Sequence, residues 1–480
     1  MTGQTWTAKE FGARGDGRTR DTRAIQAAID HCAQLGGTVR LTPGTYVVAP
    51  LRLRSNVTLH LEAGAVLLGT PRIEERVLDG WPAGILYARD ERNVAITGRG
   101  TIDGNYQHFV DLSRVMPATW FRDFEPGAVR GGQGFAEEPS PDGPVMPGRR
   151  PGNLLVFARC EDVLIEGVTI TGSSMWTLHC ADCTRVVIRD LEVTSDQRSY
   201  NNDGLHLTDC RSVRVTGCRI TTGDDCIAIS GQRGIDTAPL HAASEPEIAL
   251  GFSDIGGAGE DIAVSDCVLS SKSSAVRIWS LQTAVRNVRL SNLEIRDTNR
   301  GIGIFLRSDQ SISDIEISDL RVETRLHTGA WWGWAEPIHI SAAPLPGTEV
   351  EHGRIDRVRV RGLSAVAENG LVVYAHAPGI IGAVSLEDIS LEIRRGPHSD
   401  LKAGHLDLRN TIAETAITQR TGSGLVAVNV GSLRARRVAI RYGVPIPPYF
   451  GPGPQLDHVE DLEIDGWTEW WPGAGLGDLG

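Results

Sequence analysis

A chain of 480 residues with 55 Gly, 24 Pro, 6% aromatic residues and a formal charge of −12 sets itself against two classes of protein at once. The acidic balance argues against nucleic acid or strongly anionic polymers as partners, and no apolar run reaches the length of a membrane-spanning helix, so no membrane partner is expected. Length alone would suggest two or three domains, but a repeat protein escapes that rule because each repeat touches only its neighbours.

The opening residues Met1-Thr-Gly-Gln-Thr-Trp-Thr-Ala-Lys-Glu have neither the basic nor the apolar region of a signal peptide. A cytoplasmic location is therefore expected, or secretion if a leader has been removed. Asp21 to Leu35 places apolar residues at helical spacing and stops at Gly36-Gly37. This predicts one amphipathic helix with Asp21 as N-cap, capping the open end of whatever follows. Phe109 to Pro151 is rich in Pro, Gly and charge, and is expected to be a long loop forming a wall of the active site.

From there the chain repeats. Val163–Ile170, Val186–Val193, Val213–Ile220, Ile262–Leu269, Val288–Ile295, Ile315–Val322, Val358–Leu363 and Val384–Ile389 are short alternating apolar stretches. Their first residues are 23, 27, 49, 26, 27, 43 and 26 apart, so the two wide gaps are each about two repeats. Every unit reads strand, bend, strand, with Gly, Asp or Asn at the bend. One unit cannot bury its own apolar face, whereas a stack of them makes a continuous core. The predicted fold is all-β: a single-stranded right-handed parallel β-helix, or solenoid, with an N-terminal capping α-helix. Residues 1–410 form the expected catalytic domain, and 411–480 a C-terminal extension packed on the β-helix or continuing it.

Eight cysteines lie mostly in strand-like segments, where a thiol packs as a small apolar group. Cys180-Ala-Asp-Cys183 has metal or redox spacing, yet no second pair or histidine cluster completes a site, so buried reduced thiols are expected. Neither metal nor cofactor is implied.

The chemistry sits in Asn201-Asn202-Asp203-Gly204 and, twenty-one residues later, Gly223-Asp224-Asp225-Cys226. One coil of a β-helix separates equivalent residues by roughly 5 Å. Carboxylates at that range suit glycosidic-bond hydrolysis, one as acid and another activating water or attacking. Asp and Gly are also ordinary turn residues; two such sites in phase favour catalysis only where the surrounding motifs match a catalytic pattern.

Gly15-Asp16-Gly17, Ile25-Gln-Ala-Ala-Ile29 and Pro43-Gly-Thr-Tyr46 resemble the entry to a pectin-lyase-type β-helix. Arg150-Pro151, Trp176-Thr-Leu-His179, Asn201–Gly204 and Gly223–Ser230 resemble glycoside hydrolase family 28, the polygalacturonases and their relatives. That resemblance, running from about residue 9 to 400, implies an inverting hydrolase. In it Asp224 is the general acid, and Asp203 and Asp225 hold and deprotonate water. Packed carboxylates cannot all ionise freely, so at least one is expected to keep its proton.

Two family motifs are missing. Ser271-Lys272-Ser273-Ser274 stands where the family has Gly-His-Gly, and Gly303-Ile304-Phe305 where it has the Arg-Ile-Lys that grips a uronate carboxylate. A plain galacturonan substrate is therefore in doubt. Arg277 and Arg307 lie close enough in sequence to supply a cation instead. Lys272 is a candidate for the histidine's place beside the carboxylates, or else a surface lysine. Trp331, Trp332, Trp334 and Glu336 are expected to line a sugar subsite, where indoles stack on sugar rings, or else to brace the coils. His179 and Trp176, one coil before Asp203, are expected at the same cleft.

The expected activity is exo-acting hydrolysis of an oligosaccharide, with a neutral or atypical sugar preferred and galacturonides or rhamnogalacturonan fragments next. The rivals are a polysaccharide lyase on the same fold, with a basic residue and Ca²⁺, and a non-catalytic sugar-binding β-helix. The sequence leaves oligomeric state open.

Overall fold

The computed structural model describes residues 4–116, 142–232, 256–329, 331–345, 350–401, 405–408, 417–446, 448–472 and 477–479. It is a right-handed parallel β-helix. Each central coil lays down three short strands, as in Leu178–Ala181, Thr184–Arg189 and Glu192–Thr194. Each strand pairs in parallel with its counterpart one coil on, Leu178 facing Leu205, Thr184 facing Arg211 and Glu192 facing Arg219.

Period-two alternation explains the core. Val163 and Ile165, Val186 and Ile188, Val213 and Val215, Ile262 and Val264 all point into the bore and are buried. The bend between second and third strands needs a left-handed backbone, which only Gly, Asn and Asp adopt readily. Gly167, Asp190, Gly217 and Asp266 stand there with φ of 75°, 55°, 67° and 57°. From Val285 onward these two strands fuse into single long ones, Val285–Thr298 and Ser311–Thr324.

All eight cysteines are free and buried, with Cys183 Sγ directed at the Phe157 and Ala181 carbonyls. The helix α1 spans Thr22–Leu35 and buries Ile25, Ala28, Ile29 and Cys32 against the first coil. Asp21 precedes it but makes no side-chain cap. Its carboxylate instead accepts the amides of Arg14 and Gly15 at 2.8 and 3.0 Å, tying the preceding turn to the helix.

The C-terminal region continues the stack. Leu425–Tyr442 pairs in parallel with Ile381–Ile393, and Gln455–Trp470 with Leu425–Tyr442. Tyr442, Phe450 and Trp467 close this end of the core, and Trp471 stacks on Tyr442 at 4.0 Å. Most of the expected 109–151 loop falls on residues 117–141, outside the described residues.

The first strands of successive coils form one sheet that carries the site. They are labelled β1 (Leu86–Arg89), β2 (Leu155–Ala158), β3 (Leu178–Ala181), β4 (Leu205–Thr208) and β5 (Ile227–Gly231). β6 (Ser274–Ser280), β7 (Arg300–Leu306), β8 (Glu336–Ala342), β9 (Leu371–Ala375) and β10 (Leu425–Tyr442) follow. On their outward face Val156, His179, His206, Ala228, Arg277, Gly303 and His339 stand in one row.

Candidate active site

Asp203 and the Asp224-Asp225 pair sit in the turns entering β4 and β5, one coil apart. Asn202 locks the two turns together, its side-chain oxygen accepting the amides of Gly223 and Asp224 at 2.9 and 3.0 Å. The Gly204 amide donates to the Asp225 carbonyl at 2.9 Å. Gly223 has no room for a side chain, since a Cβ there would lie 2.2 Å from the Ser199 carbonyl. The Asn201-Asn202 and Gly223 positions are thus the scaffold, and the three Asp carboxyls are what the scaffold presents.

All three are nearly buried, Asp224 the most open at 6% exposure. Asp224 Oδ2 accepts the Asn201 amide at 3.2 Å and Oδ1 the Asp225 amide at 3.0 Å. Asp225 Oδ1 accepts the Ser274 amide at 3.1 Å from the next coil. Arg277 then joins the other two: its Nε lies 2.5 Å from Asp225 Oδ2 and its Nη2 3.5 Å from Asp203 Oδ2. Asp203 and Asp225 therefore share one guanidinium.

Burial drives the charges apart. It pushes the Asp203 carboxyl well above the usual carboxylate range, helped by the charges of Asp224 and Asp225 and opposed by Arg277. Burial also lifts Asp225 to about 6, with Arg277 again opposing. A site that holds a proton near neutrality is what acid–base work on a glycosidic bond requires.

Around the carboxylates, Trp176 stacks on His206 with centroids 3.6 Å apart. His206 Nδ1 stands 3.2 Å from Asp203 Oδ2, and its Nε2 meets Ser230 Oγ at 3.1 Å. Trp176 keeps partial exposure, as do Arg277 and Trp279 on β6, and Arg277 lies 4.9 Å over the Trp279 ring. Of the expected binding residues, Trp176 and Arg277 reach this floor, and Trp332 is half-buried at its edge, where its amide meets Ser273 Oγ at 3.4 Å.

The other expected binding residues are corrected by their surroundings. His179 is fully buried between Asn153 and Thr208, and burial depresses it to about 3, so it is a neutral packing group. Lys272 is 7% exposed and turns its ammonium to His327 Nδ1 at 3.0 Å and Asp142 at 3.6 Å. It anchors the 142–147 segment instead of taking a histidine's place beside the carboxylates. Trp331 packs with Met116 and Tyr200, and Trp334 with Leu326 and Ala335; each is a brace between coil and loop.

Glu336 is wholly buried, accepting the Trp334 amide at 2.7 Å and facing His339 and Arg300. No sugar hydroxyl reaches it. Arg307 is buried too, donating to the Leu306, Ser341 and Leu408 carbonyls. Two participants escaped the sequence reading in part. Trp279 was passed over, although its alternation with Arg277 on one strand marks both as outward-facing. His206 is the other, and its place three residues after Asp203 in a turn-to-strand step is the signal.

Phe305 occupies the ground of the absent uronate grip. Its ring lies 5.0 Å from the Arg300 and 5.1 Å from the Arg307 guanidinium carbon, and it covers Gly303, whose Cβ would come within 2.4 Å of it.

Residues 130–324 match the model of glycosyl hydrolases family 28, and residues 6–71 that of rhamnogalacturonase A/epimerase, pectate lyase-like. The match, the polygalacturonase relatives and the acidic cluster support a glycoside hydrolase similar to family 28. An exopolygalacturonase of Zea mays is 26% identical over 330 residues, covering 64% of this chain and 70% of its own. A probable polygalacturonase of Vitis vinifera is 25% identical over 56% of this chain and 55% of its own. The exopolygalacturonase of Thermotoga maritima superposes with a TM-score of 0.59 at 23% identity, covering 82% of this chain and 87% of its own. The family 28 exopolygalacturonase of Yersinia enterocolitica does so at 0.59 and 15%, covering 97% and 78%. At such identities the structural likeness speaks for the fold.

Proposed function

We propose that the protein is an inverting, exo-acting glycoside hydrolase that removes sugars from the end of an oligosaccharide. Asp224 donates a proton to the glycosidic oxygen as the bond from the anomeric carbon breaks. A water held by Asp203 and Asp225 adds to that carbon from the opposite face, and its proton passes to their carboxylates. The observation that carries this reading is the division of the cluster by Arg277. The guanidinium pairs with Asp225 and Asp203 and opposes the burial that raises both carboxyls, so it is what draws them toward their ionised, basic forms. Asp224 stands outside that pairing, held by backbone amides.

The substrate we favour is a sugar other than plain galacturonan. At the coil where a uronate would be gripped, the outward positions are Gly303 and Phe305, and Phe305 is packed between two arginines already bonded to protein carbonyls. A galacturonide end group is the second reading, because Arg277 keeps 19% side-chain exposure on the cleft floor and the relatives include exopolygalacturonases. We further propose that the enzyme trims imported fragments in the cytoplasm, as would suit an exo-acting enzyme on short saccharides. Fractionating the native host for this protein checks it, and recovery outside the cell would refute it.

The functional test is a reducing-end and ultraviolet assay of wild type and Asp224→Asn on pectic and neutral oligosaccharides. Hydrolysis yields new reducing ends without ultraviolet absorbance, lost in Asp224→Asn. An absorbing, unsaturated product would replace the hydrolase with a lyase. No turnover of any sugar, with binding retained, would leave a sugar-binding module.

A further inference from the structure

The floor sheet changes character between β6 and β7. On β6, Arg277 and Trp279 keep exposure, whereas every residue of β7 and β8 is buried, inward and outward alike. Part of what buries this end of the sheet is a segment far along the chain. Asp407 accepts the Gly333 amide at 2.9 Å, and its carboxylate and carbonyl lie 3.5 and 3.3 Å from Arg300 Nη2. The Leu408 carbonyl accepts Arg307 Nη2 at 3.2 Å. Leu406 and Leu408 pack against Val372 of β9 and Val426 and Val428 of β10.

This segment lies across the sheet close to the chemistry. Ser274, whose amide bonds Asp225, is paired one coil back from Arg300, a step of roughly 5 Å. Arg300 is 1% exposed and Glu336 and Asp407 not at all, so the segment is fixed by a buried charge network. Such networks are costly to break from one side, which suits a rigid wall. On the other side, Tyr87, Val156 and Met175 are buried with Leu78 over β1 and β2. Among the described residues the open floor therefore runs from Trp176 to Trp279, about three coils or roughly 15 Å.

We propose that residues 405–408 are the end wall of a blind cleft, which stops a bound saccharide at the Arg300 coil and restricts the enzyme to chain ends. Arg300 and Asp407 are positioning residues that hold the wall, and Leu406 and Leu408 seat it. The proposal rests on the hydrolase reading for its products but not for its binding geometry, so the two are tested separately.

Full-length Asp224→Asn protein is titrated calorimetrically with galacturonate oligomers and β-1,4-galactan oligomers of two to six sugars. A blind cleft makes affinity level off after about three sugars, and a steady rise to six would overturn the wall. Wild type is then given polygalacturonate and galactan, with viscosity and product size followed from the first turnovers. The wall requires products of one size and nearly constant viscosity. The variant L406S/L408S, confirmed folded by its melting transition, should release a range of sizes. Early loss of viscosity with wild type, or unchanged single-size products from the folded variant, would contradict it. A binding plateau without any hydrolysis would keep the wall and reject the hydrolase.

Discussion

Arg277 Nε lies 2.5 Å from Asp225 Oδ2, and one coil on, in the same outward row, Gly303 has no side chain at all. The cation beside the carboxylates thus comes from the coil before the position where family 28 carries its arginine. The pair sets the working pH of the site, and the first two expectations follow from it.

With Asp225 raised to about 6 by burial, the base must lose its proton before it can act. Activity should therefore fall as pH drops below about 6. Arg277→Ala removes the cation that favours ionisation of Asp225 and Asp203, so the acid limb should move upward by about one pH unit or more. Arg277→Lys should restore part of the shift. A kcat/KM profile against pH checks this, and an unmoved limb would remove Arg277 from the electrostatics of the site.

Asp203→Asn, Asp224→Asn and Asp225→Asn should each lower kcat by about 10²–10⁴-fold, the usual weight of a positioned acid or base. The melting temperatures of Asp203→Asn and Asp225→Asn should not fall, because those two carboxyls are buried at a desolvation cost that the amide removes. The changes should not multiply in the triple variant, since the groups act as one unit.

Gly303→Ala forces a methyl into the Phe305 ring, which Arg300 and Arg307 hold on either side. Overpacking of this kind costs about 1–3 kcal/mol. Phe305→Ala in the same chain should recover much of the loss, and a denaturation double-mutant cycle measures the coupling.

Glu336→Ala leaves Arg300 buried against Asp407 without its second partner. Breaking a buried pair from one side costs about 3–5 kcal/mol. A sugar-contact role would instead raise KM at unchanged melting temperature, so unfolding and KM read on the same preparation separate the two.

Acid should weaken the fold through its histidines. His179 is held to about 3 and His327 to about 4 by burial, against about 6.5 in an unfolded chain. Their folded values are depressed, so the stability they support is whole above pH 6.5 and is lost as pH falls toward those values. His179 alone accounts for on the order of 3 kcal/mol by pH 4. Asp225 acts in the opposite sense, since its raised value favours the fold at low pH and loses that contribution as pH rises through about 6. In urea unfolding from pH 7 to 4, wild type should lose more stability, or gain less, than His179→Asn.

The coil was legible because its rules are local. Alternation set which residues face the bore, and Gly167, Asp190, Gly217 and Asp266 announced each bend through the backbone conformation they tolerate. The acidic cluster was legible for the same reason, since twenty-two residues make one coil there and the register carries Asp203 beside Asp225. Side chains outside the repeat were not. Nothing in Trp331-Trp332-Gly333-Trp334 tells which ring meets Tyr200, which meets Leu326 and which stays at the edge, because a loop has no period. Glu336 and Arg307 read as groups of the cleft, but residues 407 and 408, about a hundred positions beyond, bond Arg307 and also Arg300, the partner of Glu336. Lys272 was drawn off by Asp142 and His327, again through contacts distant in sequence.

The central claim is inversion by a carboxylate trio, and the anomeric configuration of the first-formed product tests it most directly. Proton NMR during the first turnovers should show the released sugar with the anomer opposite to that of the bond cleaved, before mutarotation sets in, and no signal from Asp224→Asn. Retention of configuration, or an unsaturated sugar in its place, would contradict the account.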